Sequence, residues 1–94
     1  MKEDHLYFKA LSKWGIDTQI NMLVEECSEL IKAIMKLRRK RNSESLIEFL
    51  EELIDVEIMI NQMKIFYDKD LLQTIRTQKL EKLQKLLEES CPTN

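Results

Sequence analysis

One glycine and one proline, Gly15 and Pro92, are the only strong backbone breakers in 94 residues. Tight turns draw heavily on those two residue types, so a chain nearly without them holds few turns. Between the breakers the sequence is dense in Leu, Glu and Lys, which lose little rotamer freedom in a helix. No segment alternates apolar and polar residues as a half-buried strand requires. The expected fold is therefore all-α. At this length residues 1–94 form one domain, near the lower limit for an independent core.

Four helical segments are predicted. The first covers about 3–13, with Leu6, Phe8 and Leu11 as a weak apolar side. Gly15 breaks it, and Asp17 or Thr18 is placed to cap the next. The second runs about 18–41; Ile20, Leu23, Val24, Cys27, Leu30, Ile31 and Ile34 recur at helical spacing and fill one wide arc. Asn42-Ser43 supply a turn, and Ser45, with Glu48 three residues on, has capping-box spacing; Ser43 is the other candidate cap.

The third segment, about 45–67, is apolar on two sides. Phe49, Leu53, Val56, Ile60 and Met63 form one stripe, and Ile47, Leu50, Ile54, Ile58 and Ile65 form another. A helix apolar on two sides is normally covered on both. So short a chain has few helices to do the covering, which implies a partner subunit in a homodimer or homotetramer. The fourth segment, about 69–89, carries Leu72, Ile75, Leu83, Leu86 and Leu87, with Arg76, Lys79, Lys82 and Lys85 marking a basic side. The last few residues are expected to fray.

A net charge of −2 gives no reason to expect nucleic acid or a membrane as partner. The basic run Arg38 to Arg41 suits a solvated helix end, where positive charge complements the dipole. Two cysteines, Cys27 and Cys91, form neither a disulfide framework nor a zinc site, so a reducing, cytoplasmic setting is expected. The start, Met1-Lys2-Glu3-Asp4, does not read as a signal peptide, and no apolar run is long enough to cross a bilayer.

The acidic residues are patterned. Glu26 and Glu29 stand three apart, on neighbouring turns of one helix face, at the edge of the apolar arc. Glu52 and Asp55 repeat that spacing on the next long helix. Packed antiparallel, the two helices point all four carboxylates toward one spot. Half-buried carboxylates repel one another, and a hard divalent ion such as Mg²⁺ or Mn²⁺ relieves that repulsion with oxygen ligands. Carboxylates on facing bundle helices are an established way to build such a site. Spacing alone leaves two solvated acidic faces as an equal alternative.

Glu25-Glu26-Cys27-Ser28-Glu29-Leu30 resembles the EExxEL signature of the MazG-type pyrophosphohydrolases, and Glu51-Glu52-Leu53-Ile54-Asp55-Val56 resembles their second, ExxD element. Trp14 and Gln19 stand where small members carry Trp and Gln, and Thr77-Gln78-Lys79-Leu80-Glu81-Lys82 extends the likeness, which spans about residues 14–82. Many relatives have Gly before the Asp of the second element; here it is Ile54. The resemblance implies an all-α bundle of about four helices completed by oligomerisation. It implies Mg²⁺-dependent hydrolysis of a nucleoside triphosphate between its α- and β-phosphates, giving a monophosphate and pyrophosphate. Glu26, Glu29, Glu52 and Asp55 would then be the metal ligands. Glu25 or Glu48 would orient the attacking water, against solvated surface roles for both. Lys79 and Lys82 would hold the phosphate tail, against a solvated face shared with Glu81 and Glu88.

Trp14 is placed to stack on a nucleobase or to pack in the core or an interface. Met22, Met35, Met59 and Met63 are expected in the core, and His5, near the terminus, outside any site. Two rival readings remain at this point. One is the sister family that hydrolyses phosphoribosyl-ATP, which shares the acidic elements. The other is a helical dimerisation or adaptor module without catalysis.

Overall fold

The computed structural model describes residues 2–90, all of whose regular structure is helical; Cys91 and Pro92 lie outside the described residues. The helices are α1 (Glu3–Trp14), α2 (Ile16–Lys40), α3 (Ser43–Phe66) and α4 (Lys69–Ser90). Gly15 alone separates α1 from α2 and adopts φ +83°, a conformation that L side chains rarely take. Its N–H donates to the Leu11 carbonyl and its own carbonyl accepts from Gln19 N–H. One residue thus closes one helix and opens the next. The cap expected from Asp17 or Thr18 is absent: α2 starts at Ile16 with no side-chain cap, because the glycine backbone already makes the junction.

Arg41 and Asn42 join α2 to α3. Arg41 sits in the left-handed region and donates its N–H to the Leu37 carbonyl. The capping box is not Ser45 with Glu48, as the spacing suggested. Asn42 Oδ1 accepts from Ser45 N–H at 2.8 Å, and Ser45 Oγ accepts from Asn42 N–H at 3.3 Å. Ser45 is thereby inside α3 and buried, while Glu48 is released to accept from Lys36 Nζ across the helix pair at 2.8 Å. A cap of this kind is worth about 1 kcal/mol.

The core lies where α2, α3 and α1 meet. Ala33, Val56, Met59 and Tyr7 are its buried apolar members, joined by the buried amides Gln19 and Gln62. Gln19 Nε2 donates to Gln62 Oε1 at 2.7 Å, Gln62 Nε2 reaches Met59 Sδ at 3.7 Å, and Asn61 Nδ2 donates to Tyr7 Oη at 3.4 Å. Among the described residues no buried side-chain polar atom lacks a partner.

Much of the predicted core is uncovered. Leu6, Phe8, Val24 and Ile31 are exposed, as are Met22 and Met35; of the four methionines only Met59 is buried, with Met63 half-buried. On α3, Val56 is buried and Phe49 and Met63 are half-buried, but Leu53 and Ile60 stay in solvent. Of the second stripe, Ile47, Leu50, Ile54 and Ile58 are exposed along the outside of the helix and Ile65 is half-buried. Helix α4 contacts α3 and, among the described residues, contributes no buried side chain. The result is an extended molecule, 56 × 40 × 25 Å, with a radius of gyration of 17.1 Å. A compact chain of this length has about 12 Å.

Candidate metal centre

The antiparallel pairing of α2 and α3 brings the two acidic elements together. Glu26 on α2 and Glu52 and Asp55 on α3 each present a carboxylate oxygen within 4.8 Å of the others. Glu26 and Glu52 are half-buried and Asp55 is exposed, so the cluster sits at the core edge, as the spacing predicts. Glu29 is not part of this trio. It is exposed and pairs with Lys32 Nζ at 3.5 Å on its own helix. It remains near enough for its charge to act on both Glu26 and Glu52.

The carboxylates disturb one another. Glu26 titrates above its ordinary value of 4.5: burial is the largest cause, then the charge of Asp55 and a hydrogen bond to Asp55 that favours protonated Glu26, then Glu52 and Glu29. Glu52 is also raised, first by loss of solvent, then by Asp55, Glu29, Glu51 and Glu48. The donor set fits a hard divalent ion. Oxygens bound to one Mg²⁺ at about 2.1 Å lie roughly 3–4 Å apart, within a small side-chain adjustment of the observed spacing.

These shifts predict a pH dependence. Both folded-state values lie above the unfolded ones, so the folded chain holds protons that the unfolded chain has released. The repulsion costs stability at neutral pH. That cost fades as pH falls through the raised values and is gone below the unfolded carboxylate value. In chelator, Glu26→Gln should melt above wild type at pH 7, and the gap should close on acidification toward pH ~4. A gap that is absent at pH 7, or that widens in acid, would show that the carboxylates do not repel.

Two surface grooves border the cluster. One, of about 650 Å³, is lined by Ile47, Leu50, Glu51, Glu52, Ile54 and Asp55. A smaller one, of about 160 Å³, runs past Glu29, Lys32, Lys36, Glu48 and Glu52. Glu51 and Glu52 line both, and of the two Glu52 belongs to the trio. Ile54, where many MazG-type proteins carry Gly, is about half exposed and lines both the first groove and another shared with Leu6, Tyr7 and Ala10 of α1.

The remaining predicted residues are dispersed. Glu25 is exposed and outside the trio; only its backbone carbonyl is engaged, by Ser28 Oγ at 2.7 Å. Glu48 is held by Lys36, which opposes a water-orienting role. Trp14 is 53% exposed with Lys13 Nζ 5.5 Å from its ring centre, so it is not a core residue. Lys79 lines a third and larger groove, of about 950 Å³, with Tyr7, Phe8, Lys64 and Arg76. Lys82 is exposed on α4, and neither lysine borders the grooves of the acidic trio. Sequence reasoning missed Gln62 and Tyr7 as structural residues and knew Gln19 only from the resemblance. Polar residues at core positions of a helical stripe are the signal that would have found them.

No protein-family model, curated protein or solved structure matches the chain.

Proposed function

We propose that this chain is a divalent-metal-dependent pyrophosphohydrolase of nucleoside triphosphates, of the MazG type, acting in the cytoplasm to clear nucleotides from the pool. The observation that carries the reading is the meeting of Glu26, Glu52 and Asp55, drawn from two separate acidic elements, at one half-buried spot. When bound there, Mg²⁺ or Mn²⁺ supplies the positive charge that a triphosphate and its transition state require. The chain's own residues do the rest. Glu26, Glu52 and Asp55 hold the ion, with Glu29 beside them as a ligand once it leaves Lys32. Water adds to the α-phosphorus, the bond to the β-phosphate bridge breaks, and pyrophosphate leaves.

The same reading includes assembly into a homodimer or homotetramer. The chain exposes 7970 Å², against about 5,700 Å² for a compact monomer of this mass. The excess is of the order that stable subunit interfaces remove. The outer stripe of α3 supplies an apolar surface for it and shares a groove with Glu52 and Asp55. In such an assembly the cationic side of α4, remote from the acids of its own chain, reaches those of a neighbour.

The test is pyrophosphate release from a panel of nucleoside triphosphates and phosphoribosyl-ATP, with Mg²⁺ or Mn²⁺ and with chelator. Metal-dependent release is expected, and turnover of phosphoribosyl-ATP alone would transfer the chain to the sister activity. No release from folded protein that also binds no metal would leave the adaptor reading. Within the active enzyme, Lys79→Ala should raise KM for the triphosphate by about tenfold with kcat little changed, the scale of one solvent-weakened charged contact. An unchanged KM removes Lys79 from the site.

A further inference from the structure

The two amides in the core are out of place by composition and in place by geometry. Gln19 is 3% exposed and Gln62 5%, and they meet at 2.7 Å across α2 and α3. Seven residues on from Gln19 is Glu26, and seven residues back from Gln62 is Asp55. Seven residues are two helical turns, so the amide pair and the acidic pair occupy equivalent positions on the facing helices, about 10 Å apart. The Arg41-Asn42 turn holds the other end of the hairpin, about 20 Å beyond Glu26.

The packing between these points discriminates weakly among rotations of α2 on α3. The inner faces offer Leu23, Cys27, Leu30, Met59 and Met63, and apolar contact is non-directional, with methionine especially adaptable. A hydrogen bond between buried amides is directional, and rolling or splaying the helices leaves both groups unpaired. We infer that the Gln19–Gln62 pair is a clasp that fixes the far end of the α2–α3 hairpin and so positions Glu26 against Asp55. The two glutamines are positioning residues and touch no ligand. The register part stands on the fold alone; the consequence for metal binding rests on the function proposed above.

The clasp is tested by replacing both partners, Gln19→Met with Gln62→Met, which keeps chain length and leaves no amide unpaired. If that pair fails to fold, Gln19→Leu with Gln62→Met takes its place. Spin labels at the exposed positions Asn21 and Lys64, in full-length protein lacking its native cysteines and diluted with unlabelled chain, report the separation of α2 and α3 at this end. The clasped protein should give one narrow distance. The double variant should melt no lower than its parent yet give a broadened or shifted distribution. Its Mn²⁺ affinity should fall by about ten- to a hundredfold, the range for residues that orient metal ligands. An unchanged narrow distance in the folded double variant overturns the inference, whatever the metal result. A changed distance in a protein that never bound Mn²⁺ upholds the clasp and instead removes the metal reading.

Discussion

Glu52→Gln should abolish metal-dependent pyrophosphate release, by at least about a hundredfold in kcat/KM, while the metal-free protein melts higher than wild type. Both halves follow from the same geometry. Glu52 is the member of the acidic trio that borders both grooves, and it meets Glu26 and Asp55 at ligand spacing. Losing a residue that merely orients a ligand costs about 10- to 100-fold, so losing the ligand costs no less. Gln keeps the shape and removes the charge, so packing is retained while the desolvation of a charged Glu52 and its repulsion of Glu26 are both relieved. Added Mg²⁺ should therefore raise the melting temperature of wild type and leave that of the variant in place. The opposing signs are the diagnostic part. A residue needed only for folding would lower stability and activity together, and an adaptor module would tolerate the change in both. Asp55→Asn should behave in the same way.

The second large effect concerns assembly. Ile54→Asp should convert the proposed oligomer to monomer, read by light scattering or sedimentation at micromolar concentration. Ile54 is 49% exposed, in the middle of the outer stripe of α3, and helps line the groove that holds Glu52 and Asp55. A two-fold interface contains the position twice. Burying an isoleucine side chain contributes about 1.5–3 kcal/mol, so two losses amount to about 3–6 kcal/mol and weaken association by roughly 10²–10⁴-fold. The new carboxylates also face Glu51, Glu52 and Asp55 across the groove, which adds repulsion. Glu57→Asp, which keeps the charge on the same helix, should leave the assembly intact. A wild-type chain that sediments as a monomer would remove the assembly reading outright.

The sequence was most legible where one physical rule acted alone. The helical character followed from the lack of Gly and Pro, and the boundaries of α1 and α4 fell close to expectation. That Glu52 and Asp55 share a face was legible from their three-residue spacing, whereas their meeting with Glu26 depends on the pairing of α2 with α3. Glu29 had the same spacing and a different outcome, since Lys32 lies three residues further on and takes its charge. Caps were misread where backbone and side-chain options compete locally. Gly15 made a junction that needs no Asp17, and Asn42 captured Ser45 before Glu48 did. The apolar stripes gave the faces of the helices and not which face is covered. Val24, Ile31 and Ile54 look as buried in a periodicity plot as Val56. Coverage depends on what packs opposite, and that is a property of the whole assembly rather than of any window of sequence.

The turn between α2 and α3 bears on how the protein comes into being as well as on what it becomes. Arg41 and Asn42 are the whole connection between the helices that carry the acids. Closing so short a loop costs little entropy, and contacts between neighbouring helices form early in folding. Helix α4 follows both in chain order and rests on little of its own chain. The acidic trio is thus assembled from the hairpin alone, without any residue of α4. Repulsion among those carboxylates is therefore borne by the hairpin itself from the moment α2 pairs with α3.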